Sequence, residues 1–269
     1  MNVRYDSDFS VRTQFYDLDA ITGGLHRSNL IIIASRPGMG KTSFALNIAC
    51  NVAKYHNLPV AIFTLKMSQE HCIMQLLSAE AQLEISRLKS GRITEEEMEP
   101  LMAAMTVLSE LPIDIDDTGN LTLMQMRSKV RRLQAKHNGQ LGLILLDYLQ
   151  LIEDSSSKNR VQELSAITRS LKRLAKEFNV PIIALSQVNH TVEQRSNKRP
   201  ILLDLEGSGS LENDADLVMM LYRDEYYYPD TLDRGIVDVF IAKHRNGPTA
   251  SLKLLFQPEF NRFQNLGNY

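Results

Sequence analysis

A glycine-containing loop near the start of the chain has the residue types that bind nucleotide phosphates. In the stretch IIIASRPGMGKTSFALNIA, an apolar run ends in a small polar residue, a loop with two glycines follows, and Lys-Thr precedes a helical pattern. Glycine lets backbone amides approach a phosphate, the lysine reaches the β- and γ-phosphate oxygens, and the threonine hydroxyl can ligate magnesium. A chance Gly-Lys-Thr in a turn lacks this strand, loop and helix order. The order therefore predicts a P-loop that binds ATP through Ser35, Arg36, Pro37, Gly38, Met39, Gly40, Lys41, Thr42 and Ser43, with Ser35 where the first glycine is usual.

Two polar residues at the ends of later apolar runs fit the same site. Asp147 ends LILLD, and a carboxylate there can hold a magnesium ion through water, so we assign Thr42 and Asp147 to Mg²⁺. Gln187 ends IIALSQ, where its amide can contact a γ-phosphate and report it to the adjoining loop. Taken alone, each residue can equally be a helix cap or a turn former. Together with the P-loop, the pair favours a functional interpretation.

These residues require a scaffold that brings several strand ends together. The apolar runs are continuous rather than alternating, as in strands that are buried on both faces. Amphipathic segments lie between them, the clearest from 160 to 179. The pattern predicts an α/β fold with a mainly parallel twisted sheet, helices on both faces and an antiparallel hairpin in GIVDVFIAKHRNGPTASLKLLF. The predicted strands are LIIIAS (30–35), VAIFTL (60–65), LGLILLD (141–147), VPIIALS (180–186) and DLVMMLY (216–222).

Composition limits the class of protein. The chain has 269 residues, 43% of them hydrophobic and 23% charged, which is typical of a soluble globular protein. A net charge of −2 argues against a protein that coats nucleic acid through overall basicity. Cys50 and Cys72 have no metal-ligand spacing, so we expect buried reduced thiols and an intracellular location. We find no secretory signal and no apolar run long enough to span a membrane.

Several further motifs accompany the P-loop along almost the whole chain. With them the chain resembles the RecA-like P-loop motor domain of bacterial DnaB-type replicative helicases. Within that family its sequence most resembles those of cyanobacterial and plastid members. The matching stretches are FYDLDAITGGLHRSNLIIIASRPGMGKTSFALNIA, LLDYLQLI, NRVQELSAITRSLKRLAKEFNVPIIALSQ, RSNKRP, SGSLENDADLVMMLYRDEYY and AKHRNGPT.

The resemblance implies an ATP-dependent DNA helicase that assembles as a hexameric ring around single-stranded DNA. ATP and Mg²⁺ would then lie between subunits, with Arg245 as an arginine finger and Lys243 as its companion in the neighbour's site. Without the resemblance, KHR would be read as a solvated hairpin tip. The segments after Gln187 and around Gly209 would line the DNA channel. A helicase loader or primase is an implied partner, and the bacterial cytosol or the plastid stroma the implied location.

The chain departs from the family pattern at several functional positions, among them Lys66, Glu206, His190 and Ala250. Lys66, in FTLKMS, occupies the position of a glutamate that polarises the attacking water, and an ammonium group has no lone pair with which to accept a proton. It can still pair with a γ-phosphate, so we expect ATP to bind and to be hydrolysed slowly. Glu206 stands where an arginine would meet a DNA phosphate, although Gly207 and Gly209 leave backbone amides accessible.

Three interpretations therefore stay open at this point. The first is a helicase motor, the second a DnaB-like nucleotide-binding subunit of weakened activity that binds a ring, a loader or DNA, and the third a RecA- or KaiC-like ATPase. We expect residues 1–269 to form a single motor domain. The family's N-terminal collar domain and linker helix have no counterpart in the sequence, as in a fragment or a naturally short form.

Overall fold

A computed structural model describes residues 10–149, 160–205 and 207–267. Its centre is a nine-stranded sheet with the order β11-β10-β9-β8-β3-β7-β6-β4-β5. The six strands from β8 to β5 run parallel, whereas β9, β10 and β11 are antiparallel to their neighbours. The bounds are β1 Ser10–Val11, β2 Leu25–His26, β3 Leu30–Ser35, β4 Val60–Thr64, β5 Ile113–Asp116, β6 Leu143–Asp147, β7 Ile182–Gln187, β8 Leu217–Tyr222, β9 Ile236–His244, β10 Ala250–Gln257 and β11 Arg262–Asn265.

Helices connect the parallel strands as crossovers. The first of them, α2, carries the P-loop lysine at its start, and the longest, α7, returns the chain from β6 to β7. The bounds are α1 Tyr16–Thr22, α2 Lys41–His56, α3 Gln69–Ala81, α4 Ile85–Ser90, α5 Glu95–Glu110, α6 Leu123–Lys136, α7 Arg160–Phe178, α8 Ser208–Asp214 and α9 Asp224–Tyr227.

The sheet is buried on both faces, because successive residues of β3 point into two different apolar layers. Ile31 and Ile33 pack with Phe44 and Ile48 of α2 in one layer. Leu30, Ile32 and Ala34 pack with the apolar stripe of α7 in the other. This arrangement confirms the prediction of continuous, doubly buried strands and of the helix over 160–179. Both cysteines are free and buried, as expected.

Parallel pairing brings the candidate residues together at the carboxyl ends of the strands. The register pairs Ser35 with Gln187 and Thr64 with Asp147. Because β3, β4, β6 and β7 all end on the same side, the P-loop, Asp147 and Gln187 lie together there, at the carboxyl ends of the strands. That is where ligands bind in open α/β sheets.

Some elements differ from the predictions. The C-terminal hairpin is present as β9 and β10, and β11 extends it by one more strand. β5 was not predicted, because its sequence IDID alternates and our criterion was a continuous apolar run. β4 ends at Thr64, so Lys66 lies in the bend beyond the strand. Among the helices of the described ranges, none is long and apolar enough to cross a membrane.

Candidate nucleotide-binding site

The P-loop runs from the end of β3 to the first residue of α2. Gly38 and Gly40 have φ angles of 81° and 86°, in the left-handed region that favours glycine. A Cβ on Gly38 would lie 2.8 Å from the ring of Tyr226, so the loop has no room for a side chain there. Gly40 is the N-cap of α2 and makes no side-chain cap hydrogen bond. A helix start of this kind offers its N–H groups to an anion.

A cavity of about 210 Å³ opens beside this loop. Lys66 reaches it from the bend after β4 and Gln187 from the end of β7, and eight of the nine predicted P-loop residues line it. Met39 is the exception among the nine, because its side chain is 1% exposed and packs in the core. The lining residues from the loop are Ser35, Arg36, Pro37, Gly38, Gly40, Lys41, Thr42 and Ser43.

Lys41 extends across the cavity toward β7. Its Nζ donates a 2.5 Å hydrogen bond to the carbonyl oxygen of Ser186. The side chain thereby lies between the P-loop and the strand that ends in Gln187. Ser186 was not identified from the sequence, because a backbone carbonyl carries no signature of its residue type.

Thr42 and Asp147 form the pair of oxygen groups predicted for magnesium. The Thr42 hydroxyl donates a 2.9 Å hydrogen bond to Oδ2 of Asp147, whose side chain is largely buried. Burial raises the pKa of the Asp147 carboxyl, while the hydrogen bond from Thr42 and the charges of Lys41 and Lys66 act in the opposite direction. A hydroxyl and a carboxylate side by side are the hard oxygen ligands that Mg²⁺ prefers. The residues present therefore fit a magnesium–nucleotide.

Lys66 is carried by a bend whose shape is fixed by Thr64. The Thr64 hydroxyl donates to the carbonyl of Met67 at 2.9 Å and accepts from its N–H at 3.2 Å. Ser68 then caps α3 by accepting a hydrogen bond from the His71 N–H. The Lys66 side chain is exposed, and its Nζ lies 5.8 Å from the centre of the Tyr148 ring. Tyr148 was not singled out from the sequence.

Two arginines link the P-loop to other segments by hydrogen bonds. Arg36 donates to Glu193 at 2.9 Å and to the carbonyl of Val188 at 3.1 Å. The hydrogen bond from Arg36 holds the pKa of Glu193 below its usual range. On the other side, Nη1 of Arg223 donates to the carbonyl of Gly38 at 2.9 Å. Arg223 was missed because it lies 185 residues further along the chain.

Lys243 and Arg245 lie near the amino ends of the parallel strands, whereas the P-loop lies at their carboxyl ends. The N–H of Arg245 donates to the carbonyl of Asp216 at 2.8 Å, and its guanidinium donates to the carbonyl of Asn213 at 2.9 Å. The Lys243 ammonium bonds to the Glu212 carbonyl. Asp216 in turn binds the start of β3, and a strand of six residues is about 17 Å long. The structure therefore does not bring these two residues into the site of their own protomer.

The segment predicted to face DNA follows β7 and ends at α8. Gly207 has a φ angle of 79° and is the N-cap of α8. A Cβ added at Gly209 would meet no atom within 4 Å, so this glycine borders open space. Glu206 lies outside the described residues.

The comparisons with known proteins agree with one another. The sequence model of the family "DnaB-like helicase C terminal domain" matches residues 10–265. "Replicative DNA helicase DnaB" of Geobacillus stearothermophilus is 49% identical over 258 residues, which are 95% of this chain and 56% of the relative. The protein of the same name from the cyanobacterium Synechocystis is 50% identical over 244 residues, 91% of this chain and 28% of the relative. The chain thus spans about half the length, or less, of these two relatives.

Two solved structures are similar along nearly the whole chain. "ATPase Domain of G40P" has a TM-score of 0.92 and 38% identity, and the match covers 96% of this chain and 92% of that one. The second, "The Structure Of A DnaB-Like Replicative Helicase And Its Interactions With Primase", has a TM-score of 0.94 and 37% identity, covering 99% of this chain and 64% of that one. These similarities confirm the predicted RecA-like fold and favour the helicase interpretation over a RecA- or KaiC-like ATPase.

Proposed function

The chain belongs to the DnaB-like helicase C-terminal domain family, and from that premise we propose that it is the ATP-binding motor domain of a replicative DNA helicase. The observation that supports this most is the hydrogen bond from Thr42 to Asp147, because Thr42 lines the P-loop cavity together with Lys41. Because the chain spans only part of its relatives, unwinding by the whole protein is part of the proposal.

ATP with Mg²⁺ is the proposed ligand of this cavity. The α2 amides and Lys41 would hold the phosphates, and Thr42 with Asp147 would hold the metal. When bound, the magnesium ion neutralises phosphate charge and orients the terminal phosphate for transfer to water. Gln187 borders the same cavity and would contact the γ-phosphate.

We propose that the complete site forms between two protomers. Arg245 and Lys243 lie a full strand length from their own P-loop, so they can serve only the site of another copy. A head-to-tail contact of this kind closes into a ring when the rotation between copies permits it. The hexamer implied by the family resemblance is such a ring.

Single-stranded DNA is the proposed substrate of the segment around Gly207 and Gly209. Gly209 is exposed, and exposed backbone amides bind phosphates without regard to base sequence, in a manner that weakens as salt rises. One of the two similar structures is of a DnaB-like replicative helicase and its interactions with primase, which supports primase as a partner here. A loader is a further proposed partner, and the bacterial cytoplasm is the proposed location.

The position of Lys66 supports a slow rate of hydrolysis within this function. Lys66 lines the cavity, where its ammonium can attract a phosphate but cannot accept a proton from water. The protein would therefore hold ATP longer than a relative with a glutamate at this position. This is the observation behind the second candidate, a DnaB-like subunit that binds nucleotide but turns it over weakly.

Measuring ATP turnover with and without single-stranded DNA tests these proposals. An ordinary motor is expected to hydrolyse ATP and to accelerate with DNA, whereas the weakened subunit is expected to bind Mg-ATP with little turnover in either condition. Failure to bind Mg-ATP at all would contradict both candidates. Thermal melting with Mg-ATP in the same buffers separates binding from turnover.

A further inference from the structure

The ring of Tyr148 is close to two ammonium groups of the candidate site. Nζ of Lys66 lies 5.8 Å from the ring centre, and Nζ of Lys41 lies 6.0 Å from it. Tyr148 directly follows Asp147, and its ring is partly buried against the core layer that contains α2. The ring is therefore a partly buried surface close to two lysines that line the cavity.

The two lysines depend on this surface to different degrees. Lys41 is also held by the 2.5 Å hydrogen bond to the Ser186 carbonyl. Lys66 is exposed on a bend, and a long exposed lysine side chain samples many rotamers. The negative face of an aromatic ring attracts a cation within about 6 Å, so the ring favours those Lys66 rotamers that keep Nζ beside the cavity.

We propose that Tyr148 is a positioning residue that holds the Lys66 ammonium at the γ-phosphate, so that the site prefers a nucleoside triphosphate to a diphosphate. This inference rests on the proposed function, because it requires the cavity to bind Mg-nucleotide. A diphosphate has its phosphates at the P-loop and lacks the group that a second cation beside Gln187 can reach. Lys66 thus adds affinity for the triphosphate alone, and Tyr148 sets how much.

The ratio of two affinities measures this effect without any need for turnover. Calorimetry on the whole chain would give the Kd of Mg-ADP and of the non-hydrolysable analogue Mg-AMP-PNP. Tyr148→Leu is expected to lower the preference for AMP-PNP roughly two- to fivefold, which is the size of an exposed cation–π contact. Tyr148→Phe is expected to preserve the preference, because it keeps the ring. In a Lys66→Met background, Tyr148→Leu should have no additional effect.

Tyr55 provides a matched control. The Lys54 ammonium lies 5.8 Å from the Tyr55 ring, outside the cavity, so Tyr55→Leu removes the same kind of contact and should leave the ratio unchanged. If Tyr148→Leu does not fold, trifluorophenylalanine at 148 keeps the shape of a ring and weakens its negative face. It is expected to lower the ratio as Leu would.

Two results with the variants would overturn the inference. One is a loss of preference in Tyr148→Phe as large as in Tyr148→Leu, and the other is an undiminished effect of Tyr148→Leu when Lys66 is already Met. Failure of the unaltered chain to bind either nucleotide would instead reject the proposed function on which the inference rests. Binding of both nucleotides with equal affinity would reject the inference and leave the P-loop function standing.

Discussion

Val188 and Leu205 form an isolated antiparallel bridge, so the residue after Gln187 is paired with the residue two positions before Gly207. The Asn189 N–H donates a 2.7 Å hydrogen bond to the Asp204 carbonyl and reinforces the pairing. The residue proposed to face the γ-phosphate and the segment proposed to face DNA are therefore adjacent in space. A movement at one of them has a short, hydrogen-bonded route to the other.

Glu206 directly follows this bridge, and its sequence position gives the first prediction. Glu206→Arg is expected to strengthen single-stranded DNA binding and to steepen its salt dependence by about one phosphate contact. Fluorescence anisotropy across a salt series measures both quantities. An exposed acidic residue elsewhere, changed as Glu99→Arg, should have little effect on the slope. Equal slopes for Glu206→Arg and the unaltered chain would remove Glu206 from the DNA contact.

The second prediction concerns Mg-nucleotide binding. A ligand that binds only the folded state raises its melting temperature. Mg-ATP is expected to stabilise the unaltered chain, and Lys41→Ala to lose that shift while melting normally without nucleotide. Lys54→Ala, on the same helix but remote from the cavity, should retain the shift. An unchanged melting temperature of the unaltered chain in saturating Mg-ATP would reject the P-loop assignment.

The third prediction concerns the rate of hydrolysis. Loss of a positioned general base typically costs roughly a hundredfold to ten-thousandfold, so the unaltered chain should turn over slowly. Lys66→Glu is expected to raise turnover by restoring a carboxylate, and Lys89→Glu, at another exposed lysine, is not. Steady-state phosphate release measures both. Rapid turnover by the unaltered chain with DNA, unaffected by Lys66→Glu, would show that another group activates the water.

The fourth prediction concerns assembly. Because Arg245 cannot reach its own P-loop, nucleotide bound to one protomer should favour contact with the next. Light scattering is expected to show larger species with Mg-AMP-PNP than without it, and Arg245→Ala is expected to reduce that difference. Arg169→Ala removes an exposed arginine of α7 and serves as the control. A nucleotide-independent hexamer, unaltered by Arg245→Ala, would contradict this prediction.

The fifth prediction concerns acid stability at the edge strand β5. Burial tends to raise the pKa of Asp114, but hydrogen bonds from Lys136 and His137 outweigh it and hold the pKa below its usual value. A hydrogen bond from Lys129 has the same net effect on the pKa of Asp116. Carboxyls with a depressed folded-state pKa stabilise the fold above their unfolded pKa, and this stabilisation is lost as pH falls.

We therefore expect the melting temperature to decrease when the pH is lowered past about 4. Each of these partly exposed pairs then loses about 0.5–1 kcal/mol of its contribution to the free energy of unfolding. The double variant Asp114→Asn, Asp116→Asn should melt lower at pH 7 and show a shallower decline in acid. Asp230→Asn, in the connection from β8 to β9, should leave the curve unchanged. A double variant with the full acid sensitivity of the unaltered chain would show that other carboxyls dominate.

How much of this could be predicted from the sequence depended on whether a feature is local. Continuous apolar runs identified five strands of the sheet, because doubly buried strands contain few polar residues. The P-loop was recognisable because its motif is also local and lies within eight residues. The inward direction of the Met39 side chain was not, because the tight turn around it sets that direction. The contact from Arg223 to Gly38 crosses 185 residues, and no local pattern encodes it. The same limit hid the proximity of Tyr148 to Lys66.

Lys41 lies at the carboxyl ends of the parallel strands and Arg245 at their amino ends, and this placement would set the number of complete sites in an assembly. If Arg245 completes a neighbour's site, each protomer receives an arginine at its own P-loop and supplies its Arg245 to the next protomer. An open chain of protomers then always has one incomplete site at its end, whereas a closed chain has none. Closure would thus complete one more site without adding a subunit.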